Sequence, residues 1–343
     1  LSIAKAVLLK LFLGVSSLKQ DSAMTIMKHT LISLSLAIGL AGTAQAQETK
    51  VAIGISGWTG YAPLVLALET GIFKQNGLDV SIRKIPQKER HLAIASGDIQ
   101  CAATSTETWI VWNANGVPTI QIFKMDQGMG ADGIVARPGI EKVTDLKGKT
   151  VGVSAPGTNP YFSLAWILKK NGLSLKDVKT VTLEPAQAAN TFITGRSGLD
   201  AAVTYEPYLG MVRQKPDAGK LIADSEEYKM VFDTFGCTPE FLKEHPEAAK
   251  GLTESFFQAL ELMETDKTRA FTIMGKDVKQ TAEQFEESQS KIKWADREDN
   301  RKFFNGELQA FNKEAAVLLH EVGVIRAIPN DLDSLYDGQF LED

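Results

Sequence analysis

Val51-Ala52-Ile53-Gly54-Ile55-Ser56-Gly57 opens a pattern that the chain states twice. It runs on to Lys74-Gln75-Asn76-Gly77-Leu78, then to Ser96-Gly97-Asp98 and Cys101-Ala102-Ala103. Val151-Gly152-Val153-Ser154-Ala155-Pro156-Gly157 begins the second pass, which continues to Lys169-Lys170-Asn171-Gly172-Leu173 and Ser197-Gly198-Leu199-Asp200-Ala201-Ala202. Each pass reads as strand, glycine-bearing loop, helix, strand, helix, strand, because short apolar runs alternate with helically spaced ones. The period is too long for a solenoid. Two such units, each able to close its own parallel sheet, predict an α/β chain of two similar lobes. Open α/β sheets bind ligands beyond the carboxyl ends of their strands, so a small-molecule cleft is expected between the lobes.

The first 46 residues read as targeting sequence. Lys28 and His29 precede the apolar run Leu31 to Leu40, and Ala44-Gln45-Ala46 is a small-x-small cleavage signal. The run is short for a bilayer span, which favours a cleaved signal peptide over an anchor. Met24 or Met27 is the expected start, with Leu1 to Ala23 upstream of it. Removing four lysines and Asp21 with this segment takes the formal charge from −5 to −8. An acidic exported chain is a poor partner for nucleic acid. Two cysteines and three scattered histidines (His91, His245, His320) do not make a zinc or iron–sulfur site, so neither metal nor cofactor is expected.

Along the remainder, Val51 to Ile55 and Asp79 to Ile85 read as strands around a helix whose face is Tyr61, Leu64, Val65, Leu68 and Ile72. Pro63 sits in that helix's first turn, where its missing N–H costs little. Gln87 to Ala95 and Glu107 to Asn115 read as helices, Ile99 to Thr104 and Thr119 to Met125 as strands. Gly128 to Asp132 is the expected first crossing between lobes, and Val231 to Thr238 the return. The second pass supplies strands at 150–153, 180–183 and 201–204, with 221–223 as a possible last one, and from Pro239 the pattern is helical. One lobe is therefore discontinuous, 47–133 with 236–343, and the other is 134–235; two crossings make a hinge.

The loops after the strands are the candidate binding residues. They supply Ser56, Trp58 and Tyr61, then Gln87 and Arg90, then Ser105, Thr106 and Glu107, with Asp126 and Asp132 near the crossing. The second lobe adds Thr158, Asn159, Glu184, Tyr205 and Glu206. Acids outnumber bases in this set, and Arg90 is its one arginine. A small anion calls for Arg, Lys or a helix N-terminus, so an amine-bearing or zwitterionic ligand fits better. Trp58, in a glycine-flanked loop, suits ligand stacking or cation–π attraction, whereas Trp109 on a helix reads as core. Glu107 and Glu184 read equally well as acids at helix N-termini, and Glu206-Pro207 as a helix start.

Five motifs carry a family resemblance: Leu66-Ala67-Leu68-Glu69-Thr70-Gly71-Ile72-Phe73 with Asn76-Gly77-Leu78-Asp79-Val80, Ala95-Ser96-Gly97-Asp98, Asp145 to Val153, Phe192 to Tyr208, and Glu240 to Glu247. In this order the chain resembles periplasmic substrate-binding proteins of ABC importers, the nitrate/sulfonate/taurine group that shares its fold with thiamine-pyrimidine-synthesis proteins. The resemblance implies a Venus-flytrap fold, a periplasmic monomer, and partners in an inner-membrane permease and its ATPase subunit. Trp58-Thr59-Gly60-Tyr61 and Ser105-Thr106-Glu107-Thr108-Trp109 depart from the nitrate and alkanesulfonate pattern. The cysteine-rich motif of the pyrimidine-synthesising enzymes is absent from the sequence. The resemblance also implies neighbouring strands for Cys101 and Cys237; free thiols are expected there, because adjacent strands are awkward for the Cα separation of about 5.5 Å that a bridge prefers.

The residues give an enzyme little support. Gly54-Ile55-Ser56-Gly57 is not the Gly-x-Ser-x-Gly of a nucleophile elbow. His320-Glu321 lacks the second histidine of a zinc-protease helix. The expected role is capture of a small polar ligand without turnover; a pyrimidine-precursor binder and a receptor-docking sensor are the alternatives.

Overall fold

The computed structural model describes residues 48–195 and 198–341. The expected leader lies outside the described residues.

The repeat appears as two sheets with the same internal order. In the first, β1 (Thr49–Ile55) lies between β2 (Leu78–Lys84) and β3 (Cys101–Ser105), all parallel. β4 (Ile120–Gly128) joins this sheet further along, and the chain then passes into the second sheet through β5 (Asp132–Ala136). There β6 (Thr150–Val153) lies between β7 (Lys179–Thr182) and β8 (Ala201–Tyr205), again parallel. β9 (Lys220–Asp224) ends that sheet, and β10 (Phe232–Cys237) returns to the first, between β3 and β4. Each sheet is thus completed by an antiparallel strand arriving from the other: β5 against β8, β10 against β3.

The strands change sheet a few residues from the expected lobe boundaries, since Asp132 and Gly133 pair in the second sheet and Phe232 to Phe235 in the first. A short strand within the helical region, β11 (Ile292–Trp294), caps the first sheet beside β4. Three residues carry no readable period, which is why the sequence did not announce it.

β3 and β5 are buried at every position, as strands covered on both faces must be. Gly54 belongs in β1 because a Cβ there would meet Ile99 Cδ1 at 2.5 Å and Arg90 Cγ at 3.0 Å. One core lies under the first sheet, where Phe123 stacks between Phe235 (centroids 4.9 Å apart) and Phe256 (5.0 Å). A second core crosses from sheet to sheet. It joins Trp109 and Val111 to Phe162 and Trp166 of the helix Asn159–Lys170, and to Phe311, Ala315 and Leu319 of the helix Leu308–Glu321. Trp109 is core as expected, fully buried with its indole N–H donating to Thr234 Oγ1 at 2.7 Å.

The expectation of free thiols was incorrect: Cys101 and Cys237 form a disulfide. They are register partners on β3 and β10. Thr238 N donates to Gln100 O beside them at 3.0 Å, which makes theirs a non-hydrogen-bonded pair. Such pairs bring side chains closest in an antiparallel ladder, and here the Cα atoms are 3.9 Å apart. The type of strand pair decides the matter, and sequence does not reveal it.

Candidate functional site

The candidate residues of the first pass converge because their loops all leave the same edge of one sheet. Trp58 follows β1, Gln87 follows β2, Ser105 ends β3, and Thr106 and Glu107 follow it. Gly60 makes room for this meeting: a Cβ there would collide with Trp58 Nε1 and Asp126 Oδ2. Trp58 Nε1 donates to Asp126 Oδ2 at 3.4 Å, and its ring meets Tyr205 of β8 edge-on, centroids 5.5 Å apart. Tyr61 donates its hydroxyl to Asp233 Oδ1 on β10.

Four carboxylates share this interior. Glu107 is 1% exposed, Asp126 0%, and Asp132 and Asp233 each 4%. Glu107 Oε2, Asp126 Oδ1 and Asp132 Oδ2 have no hydrogen-bond partner. Loss of water is the main reason the acids resist ionisation. It pushes Glu107 up to about 8, against the opposing pull of the Ser105 hydroxyl, which donates to Oε1 at 2.6 Å. Asp126 and Asp132 are driven well above the carboxylate range by burial and then by Asp233. Asp233 rises only to about 6, since the Tyr61 hydroxyl and the Arg90 charge oppose its burial.

The interior cations act on the acids through their charge and make their direct contacts elsewhere. Arg90, fully buried, donates from Nη1 to Ala103 O and from Nη2 to Ile85 O at 3.1 Å. Burial lowers its affinity for the proton, as it does for Lys124. The Lys124 ammonium lies over the Phe303 and Phe232 rings, 4.6 and 5.1 Å from their centroids.

Several candidates hold the two sheets together. Gln87 gathers Thr104 Oγ1 (2.9 Å), Ser105 Oγ (3.1 Å) and Thr108 Oγ1 (2.8 Å) with its amide N–H groups. Its Oε1 accepts from Asn159 N, at the start of a second-sheet helix, at 3.2 Å. Lys88 reaches across to Glu184 at 3.4 Å, and Thr59 N donates to Glu206 O at 3.4 Å. Asn159 is 6% exposed and its Nδ2 is unpartnered, although the side chain is close enough to Glu107 to favour its anion.

Other candidates serve local structure. Glu206 is fully buried but pairs with Arg213, and its Oε2 accepts from Gly210 N at 3.0 Å, so its charge is already answered. Thr106 Oγ1 donates to Phe232 O at 2.9 Å, and Thr158 Oγ1 to Ala155 O at 2.7 Å. Ser56 is half-buried, and its carbonyl accepts from Lys84 Nζ at 3.4 Å. An open groove of about 650 Å³ is lined by Gly57, Lys84, Glu206, Tyr208, Arg213 and Lys279 among others, and by none of the four carboxylates.

Asp233 was absent from the residues singled out by sequence. Its signal was available: a lone acid inside the apolar run Val231 to Cys237, as Asp126 closes the run from Ile120. A charge in a strand destined for burial needs a partner or a purpose. Among the described residues no group of acids, histidines and cysteines has the arrangement of a metal site, and no helix is long and apolar enough to cross a membrane.

Known proteins share this architecture. A binding protein of Brucella abortus (strain 2308), named for an inferred role, is 26% identical over 264 residues, covering 74% of this chain and 79% of its own. The alkanesulfonate-binding protein SsuA from Xanthomonas axonopodis pv. citri, solved with MOPS bound, superposes with a TM-score of 0.69 at 18% identity. The match covers 83% of this chain and 96% of that one. The desulfurization enzyme DSZB has the fold as well, with a TM-score of 0.62, 13% identity, and coverage of 85% and 97%. At such identities the likeness establishes the two-lobed binding-protein fold and no ligand. Residues 58–270 match the family described as NMT1/THI5 like, and the chain belongs to that family.

Proposed function

We propose that this protein is the periplasmic solute-binding component of an ABC importer, capturing a small amine-bearing or zwitterionic ligand between its two sheets. The observation that carries the reading is the enclosed meeting of Trp58, Tyr61 and Tyr205 with four carboxylates that have three unpartnered oxygens. An aromatic wall beside unpaired acids suits an ammonium, through cation–π attraction and charge-assisted hydrogen bonds. A sulfonate or nitrate would instead have to displace carbonyls from Arg90. The protein acts as an exported monomer that hands its cargo to a permease and its ATPase subunit, without chemical change to the cargo.

A thermal-shift screen tests this directly. A ligand that binds only the folded state raises its stability by RT ln(1 + [L]/Kd). Amines and aminosulfonates such as taurine should raise the melting temperature, while nitrate and ethanesulfonate should not. Ligand recovered intact from the complex agrees with capture. A ligand recovered chemically altered would make the protein an enzyme, and stabilisation by anions alone would reverse the choice of ligand.

A further inference from the structure

The four carboxylates sit where the chain changes sheet. Asp126 is two residues from the end of β4 and Asp132 is the first of β5, so the two flank the outward crossing. Asp233 is the second residue of β10, just past the return crossing, and Glu107 is the second residue of the helix Thr106–Ala114 after β3. Asp126 and Asp233 are register partners, and Asp233 is also the partner of Ser105, which donates to Glu107. Their charged surroundings are few. Tyr61 and Arg90 face Asp233, Lys124 faces Asp126, and Asp132 sees Asp233 and Glu107. From the second sheet, Tyr205 interacts with Asp132 and Arg90, and Tyr208 lies against Tyr205. Glu206 and Arg213 cancel each other nearby. Asn159, on the helix that starts in the second sheet's half, brings its side-chain amide close enough to Glu107 to favour the anion.

Resting on the binding reading above, we propose that these acids are a charge lock at the hinge: empty and ionised they hold the sheets apart, and a cationic ligand or protonation lets the cleft close. Three of the acids belong to the first sheet and the helix after β3, and Asp132 adjoins the crossing, so the cluster stays together whether the cleft is open or closed. Closure removes its water, which makes each charge and their mutual repulsion costlier. Opening the cleft returns water to them. A bound ammonium supplies the missing countercharge, so the permease meets a closed protein chiefly when cargo is aboard. An anion cannot release the lock, since it adds to the excess charge.

The pH dependence has a definite sign. The acids bind protons more tightly in the closed form than in the solvated open form, so closure is favoured at low pH. That advantage is lost as pH rises through the closed-form values of about 6 for Asp233 and about 8 for Glu107. Each pKa unit of difference is about tenfold in the closed-to-open ratio.

Small-angle X-ray scattering on ligand-free protein at pH 5 and pH 8 tests the lock. The expected result is a larger radius of gyration at pH 8 for wild type, and a compact form at both values for Glu107→Gln/Asp132→Asn. Circular dichroism verifies that the variant is folded, and Glu107→Gln alone serves if the double variant is not. Equal radii at both pH values for wild type overturn the proposal, as does a folded variant that expands as wild type does. No ligand enters this test, so its failure leaves solute binding intact, and an empty ligand screen leaves the lock intact.

Discussion

Asp126 and Asp233 stand directly opposite each other on the antiparallel strands β4 and β10. Like charges so placed destabilise a sheet, and burial sharpens the conflict. The surroundings are asymmetric: Tyr61 and Arg90 favour the Asp233 anion, while burial and then the Asp233 charge hold Asp126 well above the usual carboxylate range. Two such acids titrate as a pair, in two steps. Carbon-13 carboxyl NMR should show both steps in wild type, and Asp126→Asn should remove the upper one. An unchanged two-step curve in the variant would place the second proton elsewhere.

The cross-sheet bond from Asn159 N to Gln87 Oε1 predicts an effect on closure. A net hydrogen bond contributes about 0.5–1.5 kcal/mol, so Gln87→Ala should shift the closed-to-open ratio by about two- to tenfold toward open. Scattering at pH 5, where wild type is compact, should show the expansion. No change would mean that the apolar core shared by the sheets holds them closed without help.

Trp58 and Glu206 should behave differently when substituted. Truncating a buried aromatic anchor commonly costs about 2 kcal/mol or more of binding, over tenfold in affinity. Trp58→Ala should therefore lose that much affinity for the amine found by screening, as read by calorimetry. Glu206→Gln should keep its affinity and lose about 1–3 kcal/mol of stability, since the amide keeps one acceptor oxygen for two donors, Arg213 and Gly210 N, and removes the charge that Arg213 pairs with. Denaturant melts separate the two effects. Loss of affinity in Glu206→Gln with an unchanged melt would put that carboxylate in the binding site.

Mass spectrometry of unreduced protein should show the loss of two hydrogens that a Cys101–Cys237 bridge requires. The bridge spans 136 residues of chain, and constraining the unfolded state over such a loop is worth roughly 2–4 kcal/mol. Cys101→Ser/Cys237→Ser should unfold at correspondingly lower denaturant. Both cysteines belong to the first sheet, so the pH-dependent radius should not change in this variant. A changed radius would mean that the bridge reaches the hinge.

The sequence by itself determined the element order, because apolar period and glycine punctuation are local properties. Val51 to Ile55, Gln87 to Ala95 and Ala201 to Thr204 each stand in the structure within a residue or two of where their spacing placed them. The doubled pattern likewise determined that there would be two sheets of one design. Trp58 and Glu107 were legible as neighbours because they follow parallel strands that end at one edge of a sheet, and Asp132 was legible only as a residue of the crossing. What only tertiary structure decided were the relationships between distant residues. That Asp233 falls opposite Asp126 and Cys237 opposite Cys101 depends on the register of β10, which returns from the other sheet after more than a hundred residues. That Glu206 finds Arg213 and Asp126 faces Lys124, while Glu107 and Asp132 have acids for their charged neighbours, depends on which side chains the fold brings together. Pairing across a sheet is set by the balance of many buried contacts, and no single stretch of sequence contains it.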